Sequence, residues 1–126
     1  MSAYTATRSP AAYKQQSILT APRGQLVVML YDGCLRFLGQ AAHAMRTGEV
    51  AEAGMRLSRA EAIVDELLST LDLERGGVVA SRLQGIYVWS TRKLMEARLE
   101  QDPAAIETVA ELLGELRESW AQIAAT

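Results

Sequence analysis

Apolar residues recur every three or four positions along most of the chain, in four segments separated by short polar or glycine-containing connections. Such spacing puts apolar side chains on one face of an α-helix and is typical of helices packed at shallow angles. The first predicted helix covers residues 22 to 45, and the second begins near residue 49. The third begins after Gly76 and Gly77, and the fourth begins at Asp102 and Pro103. Asp102 suits the cap and Pro103 the first turn of that last helix.

Short connections make sequential helices antiparallel neighbours. The sequence therefore predicts an all-α fold, an antiparallel up-down-up-down four-helix bundle formed by residues 21–126 as one domain. A chain of 126 residues is long enough for such a core. Residues 1–20 are small and polar, and we predict that they form a mobile N-terminal arm. Gly76 and Gly77 are interpreted as a flexible joint.

The first helix has more apolar surface than one buried face requires, since its apolar arc is about twice the usual ~100°. One stripe, assigned to the core, contains Leu26, Leu30, Cys34, Phe37, Ala41 and Met45. A second stripe contains Val28, Tyr31, Leu35, Leu38 and Ala42. We predict that this second stripe binds a partner. The arm folded permanently over it, or a second copy of the chain, would also cover it.

The third helix has a similar surplus, because Val88, Met95 and Leu99 lie away from its core face, which begins at Val79. The second and fourth helices have a single apolar face. The predicted binding residues are therefore on helices one and three, which are diagonal in a simple bundle.

The N-terminal arm contains apolar side chains that could pack against the bundle. They are Tyr13, Ile18 and Leu19. Our hypothesis is that they form a lid over the stripe on helix one and compete with the partner for it.

Composition excludes several classes of protein. A net charge of −2 without a Lys/Arg run does not favour nucleic-acid binding. The longest apolar run, residues 26–31, is too short to insert across a membrane, and no secretory signal begins the chain. A single cysteine excludes an intrachain disulfide and suits a reducing compartment, so we expect a cytoplasmic location.

No enzymatic chemistry is predicted. A carboxylate-bridged metal pair requires Glu-x-x-His motifs, and the chain has one histidine with no glutamate three residues before it. Neither a metal nor a cofactor is expected. His43 is followed by Arg46 and Gly48 and thus loosely resembles a histidine phosphotransfer module, which is an alternative function. A self-associating structural bundle is another.

The chain resembles the flagellin export chaperone (FliS) family over nearly its whole length from Tyr13. The N-terminal signature of that family is similar to residues 12–13, 20–22 and 26–38. Weaker agreement continues at Leu67, Leu71, Asp72, Gly76, Gly77, Leu83, Ile86, Tyr87, Leu94, residues 115–118 and Trp120. The sequence departs from the family pattern at Trp89, where Tyr is common, and at Arg98, where Asn often stands.

The resemblance implies a non-enzymatic secretion chaperone that holds the disordered C-terminal segment of flagellin in the cytoplasm and blocks its premature polymerisation. It also implies delivery of that client to the flagellar type III export gate, with the client wrapped around the bundle and displacing the N-terminal arm. Further flagellar regulatory proteins are an additional class of expected partner.

Overall fold

A computed structural model describes residues 23–125 as four α-helices. They are α1 (Arg23–Arg46), α2 (Val50–Ser69), α3 (Gly77–Glu100) and α4 (Pro103–Ala125), and this part of the chain contains no strand. The predicted all-α four-helix fold is confirmed, while the up-down-up-down order of the whole bundle stays a prediction. Tyr13, Ile18 and Leu19, the predicted lid, lie outside the described residues.

The helices form a ring in which α1 packs closely against both α2 and α4, whereas α3 contacts α2 and α4 less extensively. Two ion pairs join α1 to α4. Asp32 near the middle of α1 pairs with Arg117 near the end of α4, and Arg46 in the last turn of α1 pairs with Glu107 in the first turns of α4. This order of contacts makes α1 and α4 antiparallel.

Each helix contributes most of its predicted apolar face to one core. The sulfur of Cys34 in α1 lies 3.7 Å from the main-chain oxygen of Ala60 in α2, where the two helices meet. Since Cys34 and Ala60 are both fully buried, α1 and α2 approach closely at this point. The largest fully buried side chains of the core are Tyr31, Leu38, Leu57, Leu67, Tyr87, Leu94, Ile106 and Leu113.

Local chemistry explains two of the helix boundaries. The carboxylate of Asp102 accepts hydrogen bonds from the main-chain N–H groups of Ala104 and Ala105, at 3.1 and 3.3 Å, and so caps α4 as predicted. At the start of α3, Gly77 has a φ of 55°, a left-handed conformation that favours glycine. Gly76 has no such φ, but a Cβ there would lie 2.6 Å from the oxygen of Asp72. Both glycines therefore meet a specific steric requirement, which the interpretation as a flexible joint had missed.

Three members of the second stripe on α1 are buried, which differs from the exposed surface that the sequence predicted. Tyr31 and Leu38 are fully buried and Ala42 is 3% exposed, whereas Val28 and Leu35 are half-buried. The physical reason is the position of α1 between two close neighbours: burial against both α2 and α4 requires a wider apolar arc than burial against one. Tyr31 and Leu38 therefore belong to the core and are not available to a partner.

Candidate binding groove

An apolar groove of about 680 Å³ opens where the first turns of α1, the last turns of α2 and the first turns of α3 meet. Trp120 of α4 also lines it. We call this feature the end groove. Its apolar lining consists of Leu26, Val27, Met29, Leu30, Leu67, Leu71, Val79, Ala80, Leu83, Tyr87 and Trp120. Its polar lining residues include Arg23, Glu66, Thr70 and Asp72.

The end groove lies between α1 and α3, which are diagonal in the bundle and do not pack closely against each other. Leu26 and Leu30 were assigned to the core from their spacing, but they are only half-buried and line the groove. Val79 was assigned to the core face of α3, yet 68% of it is exposed at the groove edge. The apolar spacing that forms the core thus continues along the helices beyond the end of the buried core. The apolar residues at these helix ends line the groove.

Two buried tyrosines meet at the floor of the end groove. The hydroxyl oxygens of Tyr31 in α1 and Tyr87 in α3 are 2.6 Å apart, which links the two diagonal helices directly. Burial is the main cause that raises the pKa of both phenols well above the ordinary value. For Tyr31 the hydrogen bond to Tyr87 adds to the rise, and the polar indole group of Trp120 acts in the opposite direction and lowers the pKa.

A second apolar surface runs along the outside of α3. Val88, Met95 and Leu99 are all exposed, as the sequence predicted, and we call them the α3 strip. Trp89 is exposed on the same helix. Among residues 23–125, α3 carries more exposed large apolar side chains than any other helix. The predicted apolar surplus is therefore correctly placed on helix three, whereas most of that on helix one is core.

Arg98, which departs from the family pattern, connects α3 to α2. Its guanidinium donates hydrogen bonds to the Glu61 carboxylate at 2.6 Å and to the Ser58 hydroxyl at 3.2 Å. The ion pair is partly shielded from solvent. It supports the packing of α3 beside the α3 strip, where α3 otherwise makes fewer helix contacts than α1 does.

Neither candidate for catalysis is placed for chemistry. Cys34 is fully buried, and burial raises the pKa of its thiol to about 12, which keeps it protonated and unreactive at neutral pH. His43 is exposed in the last turn of α1, where no feature of the structure favours a phosphoacceptor role. Within residues 23–125 no group of side chains is arranged to hold a metal ion, and no helix there is long and apolar enough to span a membrane.

An apolar groove beside an exposed apolar strip is typical of the class of helical proteins that bind other polypeptides. Comparison with known proteins narrows this class. Residues 6–126 match the family model described as "Flagellar protein FliS".

The chain is 38% identical over 110 residues to the flagellar secretion chaperone FliS of Salmonella typhimurium, covering 86% of this chain and 82% of that protein. It is 36% identical over 113 residues to the protein of the same name in Campylobacter jejuni, covering 89% and 88%. The Bacillus subtilis chaperone is 32% identical over 111 residues, covering 88% and 82%. The chain therefore belongs to the FliS family of flagellar secretion chaperones. The role of a chaperone is non-enzymatic.

Proposed function

We propose that this protein is a cytoplasmic export chaperone that binds the disordered C-terminal segment of flagellin, prevents its premature polymerisation and aids its delivery to the flagellar type III export gate. The observation that carries the proposal is the end groove, an open apolar cavity in a chain whose relatives are named as flagellar secretion chaperones. All four helices contribute apolar residues to its lining, and charged groups such as Arg23 and Glu66 are among its few polar members.

Helix-in-groove binding accounts for how such a surface would hold a flagellin segment. A disordered segment loses conformational entropy when it folds on binding, so the chaperone must offer a broad apolar contact that offsets this loss. An amphipathic helix that places its apolar side chains in the end groove supplies that contact.

The α3 strip supplies a second contact for the same client. Val88, Met95 and Leu99 are exposed along the outside of α3, the helix whose first turns line the end groove. A client that follows α3 from the groove would meet them in chain order. Met95 and Met29, at the groove, have flexible side chains that adapt to different client residues. Among the predicted stripe residues of α1, only Val28 and Leu35 retain exposed surface for such contacts.

The lid hypothesis also remains part of this proposal. Arg23, the first described residue, lines the end groove, so the chain that precedes it starts at the groove itself. Ile18 and Leu19 are only a few residues away along the chain, within reach of the groove. Tyr13, Ile18 and Leu19 would then occupy apolar surface in the client-free protein and leave when flagellin binds.

Mixing the purified protein with flagellin from the same organism tests the proposal. The expected result is a soluble one-to-one complex by sedimentation and arrest of filament assembly. A protein that neither forms this complex nor delays assembly would contradict the proposal. Migration of the protein alone as a concentration-dependent dimer, with no affinity for flagellin, would support a self-associating bundle.

Two adjacent valines provide a matched test of the groove. Val79 lines the end groove and is 68% exposed, while Val78 is 65% exposed and lies outside the groove lining. Both are in the first turn of α3, where an aspartate is favourable to the helix dipole. Val79→Asp should weaken flagellin binding at least about tenfold, because a carboxylate is poorly solvated beneath a bound helix. Val78→Asp should leave affinity unchanged, and equal effects of the two substitutions would exclude the end groove as the binding site.

A further inference from the structure

The tyrosine pair at the floor of the end groove contains one more hydrogen-bond donor than it can use. Each phenol has one O–H donor, and each hydroxyl oxygen can also accept. Within residues 23–125, the only acceptor in hydrogen-bond distance of either hydroxyl is the other hydroxyl, at 2.6 Å. One O–H group of the pair therefore has no acceptor, although Tyr31 is fully buried and Tyr87 is only 1% exposed.

The end groove distinguishes the two tyrosines. Tyr87 lines the end groove and Tyr31 does not. Either hydroxyl can be the donor in the bond that they share. When Tyr31 donates, the hydrogen of Tyr87 is the one without an acceptor among the described residues.

We infer that the polypeptide bound in the end groove presents a hydrogen-bond acceptor to the hydroxyl of Tyr87. This inference rests on the proposed function and adds a polar requirement to a site that is otherwise apolar. With this acceptor, Tyr31 donates to Tyr87 and Tyr87 donates to the client, so both phenol hydrogens are used. A client acceptor satisfies this buried donor and adds to the binding free energy, whereas a purely apolar client leaves the donor unsatisfied and gains nothing from it. The groove thus selects an amphipathic segment with a carbonyl oxygen among its apolar contacts.

Two conservative substitutions separate this role from a structural one. Tyr31→Phe and Tyr87→Phe remove the same hydrogen bond between α1 and α3, but only Tyr87→Phe removes a hydroxyl group from a residue that lines the groove. Binding of the C-terminal flagellin segment should weaken roughly tenfold in Tyr87→Phe and change by less than about twofold in Tyr31→Phe. Urea unfolding should show that both variants are folded and destabilised to a similar extent.

Each outcome has a distinct meaning. Binding by the unsubstituted protein, together with equal affinities of the two variants, would overturn the inference and leave the proposed function intact. An unsubstituted protein that does not bind flagellin would overturn the proposed function itself. Should Tyr87→Phe not fold, the hydroxyl proton of Tyr87 in the unsubstituted protein can be followed by NMR. Its exchange with water should slow in the complex, and unchanged exchange would contradict the inference.

The acceptor can belong to a side chain or to the main chain of the client, and double-mutant cycles distinguish the two. Each Asn and Gln of the flagellin segment is replaced by Leu and measured against both the unsubstituted protein and Tyr87→Phe. A replacement whose effect disappears in Tyr87→Phe identifies a side-chain amide as the acceptor. Additive effects at every position, with the Tyr87→Phe loss retained, identify a main-chain carbonyl, such as those left unpaired at the end of a helix.

Discussion

The main-chain N–H of Gly76 donates a hydrogen bond of 2.7 Å to the carbonyl oxygen of Asp72, and both residues line the end groove. This bond closes the connection between α2 and α3. The carboxylate of Asp72 strengthens the same turn by accepting hydrogen bonds from the N–H groups of Glu74 and Arg75, at 3.2 and 3.0 Å. The edge of the groove is therefore a tightly bonded turn, and its shape depends on the close approach that glycine permits.

Gly76→Ala should destabilise the protein by about 2 kcal/mol or more, because the added methyl group has no space. A Cβ at this position would lie 2.6 Å from the Asp72 oxygen and closer still to the Cβ of Ala80. The loss should appear as a lower urea midpoint. Flagellin affinity should fall as well, because Asp72, Gly76 and Ala80 all line the groove.

Gly85→Ala is the matched control for this steric argument. Gly85 lies in the middle of α3, and a Cβ there would contact nothing within 4 Å. Alanine should therefore raise stability by about 0.5–1 kcal/mol through its higher helix propensity. A stabilising effect of both substitutions would show that the turn at Gly76 relaxes without cost and that the close approach is unimportant.

Periodicity in the sequence was sufficient to predict the number of helices, their approximate limits and most of the core, because each helix buries one continuous face. It could not distinguish between the two stripes of α1. Tyr31 and Leu30 are adjacent in sequence and similar in apolar character, yet Tyr31 is buried and Leu30 lines the groove. That difference depends on how closely α2, α3 and α4 approach α1, which is a property of the assembled bundle.

The candidate site was only partly predictable for the same reason. The residues of the α3 strip lie on a different side of one helix from its core face, and this can be read from their spacing in the sequence. Residues such as Met95 were therefore correctly predicted to be exposed. The end groove combines residues from four helices and could not be found from any one of them. The available signal was that Leu26, Leu71 and Val79 are apolar positions near the ends of predicted helices, and all three line the groove.

A methionine pair tests whether the α3 strip contacts the client. Met95 of the strip is 55% exposed, and Met55 on α2 is 45% exposed without lining the groove or belonging to the strip. Met and Glu have similar helix propensities, so both substitutions to Glu should leave the far-UV helical signal unchanged. Met95→Glu should weaken flagellin binding severalfold by calorimetry, and Met55→Glu should not. Identical affinities for the two variants would remove the α3 strip from the binding surface.

Stability should decline at alkaline pH because three buried groups keep their protons in the folded state. Burial raises the pKa of the Cys34 thiol from 9.0 to about 12 and raises the pKa values of Tyr31 and Tyr87 above 10.0. The unfolded chain releases these protons at lower pH than the folded chain does. The free energy of unfolding therefore keeps its full value below about pH 9. Above that pH it falls by up to about 1.4 kcal/mol per pH unit for each group.

Urea unfolding measured from about pH 8 to about pH 11 would follow this loss. A variant with both Tyr31→Phe and Tyr87→Phe should start from a lower stability but decline less steeply, because its two phenols no longer titrate. An equally steep decline in this variant would assign the alkaline loss to other groups.

Removal of residues 1–17 tests the proposed lid. If Tyr13 helps to hold the lid against the end groove, the client must displace it before binding, and the truncated protein should bind flagellin more tightly or more quickly. Surface plasmon resonance with the C-terminal flagellin segment measures both quantities. Tyr13→Ser in the full-length chain is a milder version of the same change and should shift affinity in the same direction. If neither the affinity nor the association rate changes in the truncated protein, residues 1–17 and with them Tyr13 do not compete for the groove, while the groove itself can still be the binding site.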